Sequence, residues 1–340
     1  MYSPLPTKFH IELTDICALK CPGCFQTDFE IPDKPSQFVD GYRLWAHVVK
    51  KAFNTLEHIE HVEFCGNAGE PTESGDLLFL CHYFHHYRNA GVTVVTNGMG
   101  PLSEAGYWEE LAATGALVVF GLDGGEEKTY KKIRYGGDYN KVINNAMRFI
   151  DAGGKAHWKY VHYNQGPDDI ALARARAEDI GFEKFIAINE PPKSLRIEPA
   201  DERPVVDSRS TAQVASLPTT PQYSSPLIRL ETVKSRKASN TYIERRVHTG
   251  SPVVCQAKSE NRAYIDCRGN VFPCAFTGMQ ALMAKKNPYF VEPFLYNWET
   301  NNIHKMPLVD ILQGEFFQKY MANSLSLDPF PFCQKQCGVK

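Results

Sequence analysis

Residues 8–24 read KFHIELTDICALKCPGC. The first seven alternate polar with apolar side chains, the period of a half-buried strand. The strand runs directly into Cys17, Cys21 and Cys24, spaced CxxxCxxC. Whether that strand opens a parallel sheet is decided by the segments downstream of it.

The pattern repeats along the first half of the chain. An amphipathic stretch, YRLWAHVVKKAFNTLEHI, precedes the strand HVEFCG. DLLFLCHYFHHYRNAG and SEAGYWEELAATG read as helices closed by glycine, and each leads into a strand, VTVVTNG and ALVVFGLDG respectively. DYNKVINNAMRFIDAGG leads into AHWKYVHYN, and DDIALARARAEDIG into EKFIAIN. Six strands separated by five helices call for right-handed crossovers and a parallel sheet. The expected fold is α/β, a partial (β/α)6 TIM-like barrel, whose chemistry collects at the C-terminal ends of the strands. The three cysteines, GNAGEPT, TNG, LDGG and HYN all fall at such ends.

Past residue 190 the composition changes. Residues 191–250 are rich in proline, serine and charge without apolar period, and read as a linker or lid. The basic stretch Lys234–Arg246 within them reads first as a solvated face. Residues 251–340 form a small cysteine-rich α+β piece with a hairpin, RAYIDCRGNVFPC, turning at Gly269-Asn270, and a helix near LVDILQGEFFQKYMA. The expected domains are therefore 1–190, 191–250 and 251–340.

A net charge of -2 gives no global attraction to nucleic acid or anionic membrane. The apolar runs are too short to span a bilayer, and the N-terminus lacks the marks of a signal peptide. A reducing cytoplasm is the expected location. There the ten cysteines serve as metal ligands, reactive thiols or core fillers, since disulfides do not persist.

Three thiolates on one tight loop can hold three irons of a cubane cluster and leave the fourth iron open. Zinc competes, although a structural zinc site normally completes four ligands. Cys267 reads first as a small buried residue, with a hydrogen-atom donor as the catalytic alternative. Cys65 and Cys81 read as core, and the histidines of CHYFHHYRN as the exposed face of a helix. His162, near the expected mouth, is a candidate substrate contact.

CxxxCxxC after the first strand of such a barrel resembles the radical S-adenosylmethionine (radical SAM) enzymes. GNAGEP is similar to that family's GGEP motif, which implies that Gly69, Glu70 and Pro71 line the cosubstrate and that Glu70 holds its methionine amino group. TNG and LDG resemble the segments near the ribose and sulfonium, implicating Thr96, Asn97 and Asp123; Asn164 is a further ribose or carboxylate candidate. The family often places an aromatic residue just before the third cysteine. Here Gly23 stands in that place, and Phe25, just after the third cysteine, is the candidate adenine contact. Cys255, Gly269 and Cys274 match the opening of the SPASM and twitch auxiliary-cluster domains, with Cys333 and Cys337 completing four ligands. No cysteine lies between Cys274 and Cys333, so the resemblance implies the shorter twitch form with one auxiliary [4Fe-4S] cluster, zinc being the alternative there.

The resemblance implies reductive cleavage of S-adenosylmethionine to a 5′-deoxyadenosyl radical, hydrogen-atom abstraction from substrate, and an electron donor such as flavodoxin or ferredoxin. A four-ligand auxiliary cluster suits electron relay, which favours oxidative outcomes such as dehydrogenation or crosslinking; epimerisation is the other modification the resemblance implies. The expected substrate is a peptide or protein. A sugar or other small molecule is the alternative, kept in view because the first strand starts near residue 8 with no winged peptide-binding domain expected before it. A rival of another class is a non-catalytic zinc or iron-sulfur scaffold that binds nucleic acid.

Overall fold

The computed structural model describes residues 5–22, 24–27, 36, 38–101, 105–163, 165–188, 253–286, 300–321, 333 and 337. The described residues all belong to one compact unit, Met1–Glu198 with Gly250–Lys340. The proposed linker or lid, its basic stretch and Asn164 lie outside them.

Six parallel strands appear in the expected order: β1 (Lys8–Ile11), β2 (His61–Cys65), β3 (Gly91–Thr96), β4 (Leu117–Gly121), β5 (Ala156–Val161) and β6 (Lys184–Ile188). Between them run α1 (Ala46–Phe53), α2 (Leu77–His82), α3 (Tyr107–Ala113), α4 (Glu127–Ile133), α5 (Tyr139–Asp151) and α6 (Pro167–Ile180). The fold is the α/β partial barrel read from the sequence. α2 passes into a wider π turn at Tyr83–Tyr87, and the left-handed residue that stops it is Asn89, at φ 50°, in place of the expected glycine. Gly91 instead opens β3.

The C-terminal piece joins the same sheet. α7 (Gln256–Ser259) leads into β7 (Arg262–Ile265), which lies parallel to β1 in register Lys8 with Arg262, and β8 (Val271–Phe272) returns antiparallel to β7. The strand order is β6-β5-β4-β3-β2-β1-β7-β8. The hairpin turn falls where the sequence places it, with Gly269 at φ 82°. A side chain there would press on His304 and Ile303. α8 (Ala275–Lys286) and α9 (Leu308–Gln313) complete the piece, and α9 docks on the barrel where Val309 N donates to Thr55 Oγ1 at 3.2 Å.

Strand alternation sorts the two faces. Phe9 and Ile11 of β1 are buried among the helices, where Phe9, Phe53 and Phe84 make edge-on ring contacts at 4.8 and 5.0 Å. Burying aromatic rings this way contributes about 0.5–1.5 kcal/mol per pair beyond area. On the other face His10, Glu63 and Cys65 come together, with Nε2 of His10 donating to the Cys65 carbonyl at 2.6 Å. Cys65, expected as core, faces this polar interior, whereas Cys81 is fully buried among apolar groups. His82 and His86 are exposed on their helix as expected, whereas His85 is half-buried with its Nδ1 enclosed.

Candidate functional site

Beyond β1 the chain is pinned to its neighbours before it reaches Cys17. Gln26 donates its side-chain amide to the Asp15 carbonyl, and Glu70 N donates to Ile16 O at 2.9 Å. The cysteine loop then closes on itself through Cys24 N to Cys21 O (3.1 Å), Thr27 N to Cys24 O (3.0 Å) and Thr27 Oγ1 to Cys21 O (3.1 Å). Lys20 N reaches Tyr135 O at 3.0 Å, tying the loop to the far end of α4.

Cys17, Cys21 and Cys24 are all partly buried. Burial pushes each thiol above its ordinary range, and the crowding of anions adds to it: Glu70, Cys24 and Cys21 all act on Cys17. Arg134 opposes this at Cys21 and Cys24, and burial still outweighs it. The donor set of the three thiols suits a metal cation. Leu19 N and Asn97 Nδ2 approach the Cys17 sulfur at 3.4 and 3.5 Å.

The loop after β2 is shaped by two glycines. A Cβ on Gly66 would stand 1.8 Å from Gly69 O, and one on Gly69 would stand 1.8 Å from Thr14 O. Only hydrogen fits at either place. This lets the loop fold against the segment leading to the cysteines and aims Glu70 inward, ahead of a short turn at Pro71–Glu73.

Glu70 is buried and accepts four hydrogen bonds from the protein. Oε1 takes Thr72 N (3.2 Å), Thr72 Oγ1 (2.9 Å) and Thr96 Oγ1 (2.5 Å), and Oε2 takes Asn97 N (2.8 Å). The carboxylate expected to meet the methionine amino group thus joins the ends of β2 and β3. Thr96 and Asn97 lie with Glu70, and Asn97 links it onward to Cys17.

At the end of β4, Asp123 is buried and pairs with Arg134 at 2.8 Å, while its other oxygen accepts Val161 N at 2.8 Å. Burial works against the Arg134 guanidinium, and Asp123 and Cys21 more than offset it, so the charge is kept. Its Nε has no hydrogen-bond partner among the described residues. Sequence reasoning missed Arg134, because KKIR at a helix end reads as a solvated basic turn. Tyr163 also faces this group, and His162 is half-buried beside it. The Phe25 ring packs with Phe38 at 5.1 Å and with Ala68, under Met279 and Leu282 of α8.

The second cysteine group is brought together by the fold. Burial raises the Cys333 thiol, and Cys274, Cys255 and Cys337 raise it further. Val254 N donates to Cys337 O at 3.2 Å, and Thr277 Oγ1 lies 3.1 Å from Cys274 Sγ. Cys267 stands apart and buried, its charged neighbours being Asp266, Glu12, Arg268 and Asp15. Among the described residues no helix is long and apolar enough to cross a membrane.

Residues 11–169 match the model of the Radical SAM superfamily, and residues 255–338 match that of an iron-sulfur cluster-binding domain, SPASM. No curated protein matches the sequence. Streptococcus suis SuiB bound to precursor peptide SuiA is similar in structure with a TM-score of 0.55 and 16% identity, over 92% of this chain and 66% of that one. Native anSMEcpe with bound AdoMet and Cp18Cys peptide gives 0.51 and 15%, over 94% and 84%. This chain therefore spans slightly less than two thirds of SuiB, and identities this low show a shared fold. With both family models matched in order along one sheet, the chain belongs to the radical SAM superfamily and carries a C-terminal SPASM-type iron-sulfur domain.

Proposed function

We propose that this enzyme modifies a peptide by radical chemistry, with Cys17, Cys21 and Cys24 holding a [4Fe-4S] cluster open at one iron. Gly69, Glu70, Pro71, Thr96, Asn97, Asp123, Phe25 and Asn164 surround S-adenosylmethionine, and Cys255, Cys274, Cys333 and Cys337 hold one auxiliary [4Fe-4S] cluster. The observation that carries this reading is three partly buried thiols on one closed loop beyond β1, of which Cys17 accepts from Asn97 Nδ2 while the Asn97 backbone N–H donates to the buried Glu70 carboxylate that braces the neighbouring strands.

Cluster and cosubstrate together supply a 5′-deoxyadenosyl radical that removes a hydrogen atom from substrate. The chain's own residues have narrower tasks. Leu19 N and Asn97 Nδ2 donate to the Cys17 sulfur, drawing charge from it and tuning the potential of whatever it binds. Arg134, charged and with a free N–H, is placed to meet an anionic group of the cosubstrate. Met279 and Leu282 of α8 pack against Phe25 and Ala68 and give that side of the site an apolar wall. A peptide substrate is favoured because the similar structures of SuiB and anSMEcpe hold peptides. An oxidative outcome is the one that suits a four-cysteine auxiliary site acting as electron relay, with a flavodoxin or ferredoxin as reductant.

The test is Cys17, Cys21 and Cys24 changed together to alanine in anaerobically reconstituted protein. 5′-Deoxyadenosine formation should vanish while iron remains in the C-terminal site. Full activity in the triple variant overturns the proposal.

A further inference from the structure

Arg268 belongs to the turn of the β7–β8 hairpin, yet its charge is delivered to the opposite end of the chain. Its backbone is fixed within the C-terminal piece, where Arg268 N donates to Asp266 Oδ1 at 2.9 Å and Arg268 O accepts Asn302 Nδ2 at 2.9 Å. The side chain, only 13% exposed, crosses to the barrel. Nη2 lies 2.9 Å from Asp40, 3.3 Å from Asp15 and 3.3 Å from the Phe38 carbonyl, and the guanidinium stands 4.4 Å from the centre of the Tyr42 ring. A planar cation suits this place, since it stacks on a ring and donates along its edge at once.

Asp15 is the partner through which this contact reaches the cysteines. It is fully buried and stands two positions before Cys17. Its Oδ2 takes Arg268 and also Asp40 N at 3.1 Å, its amide donates to Tyr42 O at 3.3 Å, and its carbonyl takes the Gln26 side chain from beyond Cys24. The next carbonyl, of Ile16, holds Glu70 N, and Thr14 O closes on Gly69 so tightly that only hydrogen fits there. A shift of Asp15 is therefore felt on two sides, by the cysteine loop and by the loop that carries Glu70. Among the described residues Arg268 is the cation that pairs with this carboxylate, and Oδ1 has no hydrogen-bond partner. A buried carboxylate deprived of its cation is strongly unfavourable.

We infer that Arg268 is a positioning residue: from the C-terminal piece, through Asp15, it fixes the loop of Cys17, Cys21 and Cys24 in the form that binds cosubstrate. The inference rests on the reading above, in which those thiols hold the cluster that takes S-adenosylmethionine. It makes the first centre depend on the piece that carries the second. A barrel whose hairpin is displaced keeps its three cysteines but leaves Asp15 buried without its cation.

The experiment compares Arg268→Met, Asp15→Asn and the double variant with wild type, all as anaerobic holoproteins. Hydrogen exchange is read at the amides of residues 16–27, and cosubstrate binding by the change that S-adenosylmethionine makes in the electron paramagnetic resonance of the reduced cluster. Arg268→Met strands the carboxylate. Exchange in 16–27 should accelerate at least about tenfold, as expected when a charge-assisted hydrogen bond is lost, and half-saturating cosubstrate should rise by a similar factor, while the amides of α6 and the C-terminal iron hold. In Asp15→Asn the carboxylate is gone and Arg268 has nothing to act through, so the double variant should match that single variant within about threefold in both readouts. This comparison decides the matter even where Arg268→Met alone does not fold, because removing both charges strands neither. Wild-type exchange in Arg268→Met overturns the inference, as does faster exchange with an unchanged cosubstrate response, which would make the contact a structural brace only. A double variant more than about threefold worse than Asp15→Asn also overturns it, since Arg268 would then act through Asp40 or Phe38. A wild type that shows no response to S-adenosylmethionine refutes the earlier proposal instead, and the exchange comparison still decides whether Arg268 holds the loop.

Discussion

Changing Glu70 to glutamine keeps the side chain's size and turns one oxygen into NH2. The structure makes that exchange costly whichever way the amide lies. Oε1 faces Thr72 N and Oε2 faces Asn97 N, so the new NH2 must meet a backbone N–H. The Thr72 and Thr96 hydroxyls can rotate to accept, but a backbone N–H cannot. One hydrogen bond to a charged acceptor is then lost in a buried place, a cost of about 1.5–3 kcal/mol. That corresponds to roughly 10- to 150-fold in a local opening equilibrium, at about 1.4 kcal/mol per tenfold. Hydrogen exchange of the segment from β3 through Asn97 is the direct assay, since the carboxylate protects the Asn97 amide. Exchange there should accelerate by that factor, while the amides of α6, between β5 and β6, keep their rates. An acceleration below about twofold would show that Glu70 does not hold the strand ends, and the brace assigned to it would fall.

At the second centre, alanine at Cys255, Cys274, Cys333 or Cys337 should each lower iron content and expose the C-terminal piece to proteolysis, while Cys267→Ala keeps its iron; zinc on metal analysis, or iron lost with Cys267 alone, would refute the ligand set. Glu12, raised from 4.5 to about 8, gives stability that is complete below pH 4.5 and lost as pH rises through 8. The wild type should therefore weaken by roughly 4–5 kcal/mol across that window, at about 1.4 kcal/mol per pH unit, and thermal unfolding of Glu12→Gln should show a flatter profile.

The strands and the loops at their ends are legible in the sequence because both signals are local. Period-two burial marks Val62 and Phe64 or Val92 and Val94 as strand interiors, and a glycine-bearing motif closes most of these strands. Gly269 marks the hairpin for the same reason. The pairing of β7 with β1 carries no such mark: the partners stand some 250 positions apart, and KFHI looks like an ordinary first strand whichever neighbour it takes. Glu70 is legible as a site residue, but the inward direction of its carboxylate depends on Thr96 and Asn97 arriving from another strand. Arg134 and Glu12 are hidden for a related reason. Each looks like a surface charge until tertiary packing closes Asp123 over the one and α8 beside the other.

The parallel seam between β1 and β7 also sets a clock on biosynthesis. β1 leaves the ribosome well ahead of its partner Arg262–Ile265, which is made some 250 residues later. At translation speeds of about 5–20 residues per second, that interval is roughly 13 to 50 seconds. Throughout it, one edge of the nascent sheet has no permanent neighbour, and an open edge invites pairing with other chains. Cys17, Cys21 and Cys24 are made before that wait begins, well before Cys333 and Cys337 exist. On the ligand sets proposed above, metal loading at the first centre could thus precede closure of the sheet, whereas loading at the second would await synthesis of Cys333 and Cys337.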